Sequence, residues 1–148
     1  MFKRILVTTE GSPRSETAVN KAIELSLLSG AELRVFTVVP LEPFSLMEGT
    51  PVYAQKQQVE TYHQALAVAQ ALLDAAKSAA LAKGVRNVEA VVKGSNEIGE
   101  SIIEFAKSEG CDLIVMASHG RRTVARLLMG SETLHVLTYS HIPVLAYR

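Results

Sequence analysis

Ile5-Leu6-Val7-Thr8-Thr9, followed at once by Glu10-Gly11-Ser12-Pro13, is the stretch on which the fold turns. Five β-prone residues make a short strand. Ser12 is then placed to cap a helix, and Pro13 suits that helix's first position, where a missing N–H is harmless. Ala18, Val19, Ala22, Ile23 and Leu25 recur at helical spacing before Gly30 supplies a stop. A strand that runs straight into a capped helix is the first half of a βαβ unit.

The same alternation continues outward. A second strand spans 33–39 and ends at Pro40; residues 41 to about 56, with Pro43, Gly49 and Pro51, read as an irregular loop. An Ala/Gln-rich helix is expected from about 57 to 83, closed by Gly84. A third strand covers 88–92. Ser95 or Asn96 then caps a helix that carries Ile98, Ile102, Phe105 and Ala106 and stops at Gly110. Residues 112–117 form a near-continuous apolar run, as expected of a central strand buried on both faces. A polar, basic loop follows from Ser118 to Arg122. Gly130-Ser131 opens the last helix, with Ser131 as its cap, and 142–147 closes the chain as a fifth strand with Pro143 near its start. With no repeat or linker, residues 1–148 read as one α/β domain. Its expected architecture is a doubly wound, five-stranded parallel sheet of order 3-2-1-4-5 with helices on both faces.

Composition narrows the partners. Lys+Arg and Asp+Glu each number 15 among 148 residues, so the formal net charge is zero. Duplex DNA or an anionic membrane as main partner would call for a basic excess, so neither nucleic acid nor membrane is expected. Cys111 stands alone and reads as a small buried hydrophobe. No His/Cys cluster has zinc spacing, no signal peptide is apparent, and no apolar stretch looks long enough to cross a bilayer. A cytoplasmic protein is the expectation.

In a sheet of this order the chain reverses between strands 1 and 4, and ligands bind outside the strands' carboxyl ends at that reversal. Segments 8–13 and 117–131 meet there. A phosphate needs backbone N–H donors, small residues and preferably a helix N-terminus, which Gly130-Ser131 could supply, with Gly120 as a second point of close approach. By themselves Gly120 and Gly130 read as ordinary turn and cap glycines. Arg121 and Arg122 either clamp an anion or face water. His119 either orients the loop by hydrogen bonding or acts as an acid/base group. There is no Walker A loop, dinucleotide fingerprint, nucleophile elbow or zinc-protease motif.

Taken together, Glu10-Gly11-Ser12 after strand 1, Asp112-Leu-Ile-Val-Met-Ala-Ser-His-Gly120, Leu127-Leu-Met-Gly-Ser131 and Ile142-Pro-Val-Leu145 resemble the universal stress protein family, over nearly the whole chain. In nucleotide-binding members the motif is G-x2-G-x9-G-[S/T]; here it runs Ala117-x2-Gly120-x9-Gly130-Ser131. The resemblance implies that ATP, or AMP or ADP, binds at the strand ends, with Mg²⁺ reached through the phosphates. Thr8, Thr9, Glu10 and Val38 would form the adenine and ribose side, and Ala117, Gly120, Gly130 and Ser131 the phosphate side, with His119 and Arg121 as further candidate site residues beside them. It also implies a homodimer paired through the last strand at Val144 and Leu145. Two departures stand out: Ala117 replaces a glycine and would be strained if φ must be positive, and Glu10 replaces the usual Asp. A stress-response regulator is the function implied. A weak ATPase and a nucleotide-free dimeric interaction protein are the alternatives.

Overall fold

Strands and helices alternate in the computed structural model, which describes residues 1–41, 51–119 and 129–148. The strands are β1 (Arg4–Thr8), β2 (Glu32–Val39), β3 (Val88–Gly94), β4 (Leu113–Ala117) and β5 (Val144–Tyr147). They form one parallel sheet in the order β3-β2-β1-β4-β5, as the sequence predicts. Between them, among the described residues, lie α1 (Pro13–Ser29), α2 (Val52–Ala82), α3 (Ile98–Ser108) and α4 (Ser131–Tyr139).

Successive strand side chains point to opposite faces, and the two faces carry separate cores. Ile5, Val7, Leu33, Val35, Leu113 and Val115 pack with α1 and with Leu73 and Ala80 of α2. Leu6, Phe36, Ile114 and Met116 pack instead with α3 and with Val136 of α4. On that second face the Phe36 and Phe105 rings stack with centroids 4.2 Å apart. Burial on both sides explains why β1 and β4 read as unbroken apolar runs. Ile5, Leu6 and Val7 are wholly buried, each stabilising the fold by about 1.5–3 kcal/mol.

Local signals set most boundaries, and three expectations need correction. Ser12 does cap α1, its Oγ accepting from the Ser15 amide at 3.2 Å, with Pro13 first in the helix and Gly30 just past its end. Neither Ser95 nor Asn96 caps α3, because both side chains are engaged elsewhere. Ser95 Oγ accepts from the Glu97 amide at 3.0 Å, Asn96 Oδ1 accepts from the Leu41 amide at 2.6 Å, and Glu97 sits at the cap position. The second correction is the start of α2, at Val52 rather than near 57. Pro51 lies immediately before it, where its missing N–H costs nothing, so what read as loop punctuation is a helix entry. The remainder of that loop, 42–50, lies outside the described residues. Third, α2 is long and apolar enough to cross a bilayer by length and composition, with a mean hydropathy of 1.3 over 18 residues. In this fold it lies against the sheet through Ala69, Leu73 and Ala80, and it carries Asp74 and Lys77.

The strands' amino ends hold a charged network. Arg34, only 4% exposed on the α3 face of the sheet, reaches Glu32 at 3.1 Å, Glu109 at 3.3 Å and Glu89 at 3.6 Å. Arg4 donates to Glu32 at 2.7 Å and to the Glu109 carbonyl. Asp112 accepts from the amides of Lys3 and Arg4, which ties β4 to the start of β1. Cys111 is buried beside this network, and burial pushes its thiol up to about 11, so it stays protonated as expected of a packing residue.

The Arg4 hydrogen bond, with the charges of Arg4 and Arg34, holds the Glu32 carboxyl below its usual range. A depressed carboxylate stabilises the fold above its unfolded pKa, and the contribution disappears as pH falls through the folded value. Glu32→Gln should therefore lower the melting temperature at neutral pH. The gap to the unaltered chain should begin to close below about pH 4.3 and vanish in stronger acid. Thermal melts across that range check it; a gap independent of pH would contradict the ion-pair account.

A candidate ligand cleft at the carboxyl ends of the strands

α1 leaves β1 on one face of the sheet, and α3 enters β4 from the other, so the chain parts above the β1–β4 pair. A cleft of about 950 Å³ opens there, large enough to enclose a small-molecule ligand.

Its floor begins with the turn after β1. The Thr9 amide donates to the Phe36 carbonyl at 3.1 Å, and Thr37 Oγ1 donates to the Thr9 carbonyl at 2.8 Å. Thr9 Oγ1 lies 3.2 Å from Ser15 Oγ and accepts weakly from Gly11, whose φ of +85° turns the chain as few other residues could. Thr9 lines the cleft, but its polar groups bind the turn together. Thr8 and Glu10 flank it as half-buried lining residues.

The other rim is the start of α4. The Gly130 amide donates to the Ser118 carbonyl at 2.8 Å, and Thr133 Oγ1 donates to the Ala117 carbonyl at 2.9 Å. These two bonds pin the helix N-terminus over the end of β4. Ser131 was expected to cap this helix; it is instead the first helical residue. Gly130 takes the cap position, no side chain caps the first turn, and Ser131 Oγ donates to Glu132 Oε2 at 3.1 Å. The amides of the first turn therefore face the cleft without a side-chain acceptor.

Ala117 and His119 lie between the rims. Among the described residues no residue other than glycine has a positive φ, so Ala117 is unstrained and serves as a small strand-end residue. His119 is 8% exposed, and among the described residues its Nδ1 has no hydrogen-bond partner, which is costly for a buried nitrogen. Gly120 and Arg121 lie outside the described residues.

Apolar walls complete the site. Val38 and Met116, with Ile98 and Ile102 of α3, line one side; Ala65, Val68, Ala69 and Leu72 of α2 line the other. α2 comes this close because Gly94, at the end of β3, leaves room for the Tyr62 hydroxyl, which any Cβ there would strike. The helix wall, Thr37, Thr133 and Glu132 escaped the sequence reading. Glu132 was the most legible of them, as a first-turn acid after Gly130-Ser131. Ala65 and Ala69 offered only small residues at i, i+4 on a helix of uncertain start. His63, His135 and His141 do not line the cleft, and His135 Nε2 sits 3.3 Å from Glu100. Among the described residues no group of acidic, His and Cys side chains could hold a metal. At the sheet's far edge β5 pairs with β4 alone, with Val144 half-buried and Leu145 37% exposed.

Comparison with known proteins agrees with this architecture. The model of the universal stress protein family matches residues 1–148. Universal stress protein MJ0577 of Methanocaldococcus jannaschii is 30% identical over 159 residues, covering 100% of this chain and 96% of that protein. Its solved structure aligns over 99% of this chain and 96% of that one with a TM-score of 0.81. UspA of Lactobacillus plantarum, 20% identical, gives a TM-score of 0.86 over 99% of this chain and 97% of its own. A universal stress protein solved in complex with cAMP is 25% identical, with a TM-score of 0.71 over 99% and 97% of the two chains. The sheet order and the whole-length match lead to one conclusion: this chain belongs to the universal stress protein family.

Proposed function

We propose that this chain is a regulatory binding protein that holds an adenine nucleotide in the cleft above β1 and β4. The observation that carries the reading is His119: a buried ring nitrogen without a partner among the described residues, lining a cleft into which the uncapped first turn of α4 also opens. Helix amides and a ring nitrogen are the donors a phosphate uses. The relative solved with cAMP supports the choice of ligand class.

Thr8, Glu10 and Val38 contact the base and ribose in this reading, and Thr9 holds their turn in place. Ala117, His119, Gly130 and Ser131 take the phosphate side, joined by Gly120 from the family motif and by Arg121 next to it. ATP, ADP and AMP are all candidate ligands. Any Mg²⁺ is held through the phosphates, since the described residues offer no acidic cluster of their own. The chain works in the cytoplasm as a homodimer in which β5 edges pair, an arrangement that removes an open edge strand.

Heat-denaturing the purified protein and chromatographing the supernatant should release an adenine nucleotide, or calorimetry should detect one binding. No released nucleotide, together with no binding by calorimetry, would end the proposal. His119→Phe should leave the ligand-free melting temperature unchanged or higher, because an apolar ring replaces an unsatisfied buried nitrogen, while nucleotide affinity falls about tenfold. Unchanged affinity would remove His119 from the site. Sedimentation equilibrium should return twice the 16.0 kDa mass of one chain; a monomer would refute pairing through β5.

A further inference from the structure

We infer that the cleft continues past the base into an apolar compartment along α2, and that this compartment takes an aliphatic or aromatic group carried on the exocyclic amine of adenine. The inference rests on the nucleotide reading above and extends it to a class of base-substituted adenine nucleotides.

Sheet order sets the direction. The phosphate rim lies at the start of α4, which the Thr133–Ala117 bond fastens to the end of β4. The base side, Thr8 and Val38, lies at the ends of β1 and β2. α2 packs beyond these, against β2 and β3. Phosphate, base and α2 therefore follow one another across the sheet. A group that reaches α2 has to leave the base on the side away from the phosphate, and the exocyclic amine stands on the edge of adenine farthest from the ribose.

The compartment is built of apolar side chains. Val39 and Pro40 close the end of β2, while Ala65, Val68, Ala69 and Leu72, at i, i+3, i+4 and i+7, turn one face of α2 to the cleft. Single methyl groups at 65 and 69 leave width between the helix and the strand ends. That width is held by Tyr62, whose hydroxyl sits over Gly94 where a Cβ would displace it. Ala69 is 4% exposed at the back of this wall and Val68 is 60% exposed at its mouth, so an inserted apolar group would cover surface that now faces water. The whole cleft, about 950 Å³, stands near the upper end of the range for small-molecule sites, which leaves space beside a mononucleotide. Each methylene buried there strengthens binding about fourfold.

The test is calorimetric titration of the full chain with AMP, N6-methyl-AMP, N6-benzyl-AMP and the benzyl phosphate ester of AMP. N6-benzyl-AMP should bind at least about tenfold more tightly than AMP, with the methyl derivative between them. The phosphate ester, with the same ring at the other end, should show no such gain. Ala65→Trp, at an exposed position of α2, should cost N6-benzyl-AMP at least about tenfold more than it costs AMP. Base-substituted nucleotides that bind no more tightly than AMP would overturn the inference and leave nucleotide binding standing. An equal gain for the base and phosphate derivatives would do the same. Equal losses for both ligands in Ala65→Trp would also overturn it, because that wall would then touch the unsubstituted base. Binding of none of the four compounds would overturn the nucleotide reading itself.

Discussion

Burial of β1 on both faces is the constraint from which the remaining structure follows. Ile5 and Val7 face α1 and α2, while Leu6 faces α3 and α4, and none of the three is accessible to water. A strand covered on both sides needs neighbours on both edges, which β2 and β4 provide. Parallel neighbours in turn require helical crossovers, and crossovers to opposite sides part the chain above the β1–β4 pair. The cleft is thus a by-product of covering one strand completely. Its polar groups include Thr8, Thr9, Thr37 and His119, at or near the strands' carboxyl ends.

The cleft is assembled from backbone held by side chains as much as from side chains themselves. Thr9, Ser15 and Thr37 spend their hydroxyls on the β1–α1 turn, and Thr133 spends its own on the end of β4. Groups already satisfied within the protein fix positions without competing for a ligand. His119 differs because its nitrogen is buried and, among the described residues, unsatisfied. A few kilocalories of local discomfort is a common property of sites that a ligand completes.

How much of this is legible in the sequence depends on whether a feature is local. β1 with its Ser12-Pro13 helix entry and the apolar run of β4 could be read directly, because strand period and cap chemistry act over a few residues. With those in hand the sheet order and the place of the cleft followed. Features set by distant contacts were not legible. Asn96 looked like a cap until Leu41, 55 residues away in sequence, claimed its carboxamide. Pro51 looked like a breaker but stands at a helix entry. Ala65 and Ala69 show no sign of lining a site until Gly94 lets Tyr62 bring α2 across the sheet. Ser131 was placed one residue out, which changed its hydroxyl from a cap to a partner of Glu132.

The charged network around Arg34 lies at the strand ends remote from the cleft. Arg34 and Val38 are four residues apart on β2, roughly 13 Å at the rise of a parallel strand. Substitutions separated by more than about 7–10 Å with no shared partner act almost independently. Ion pairing and ligand contact therefore sit on opposite sides of an apolar insulator, the two cores. Drift at one end leaves the other largely untouched. A fold divided in this way can exchange one small-molecule specificity for another while its anchoring charges stay as they are.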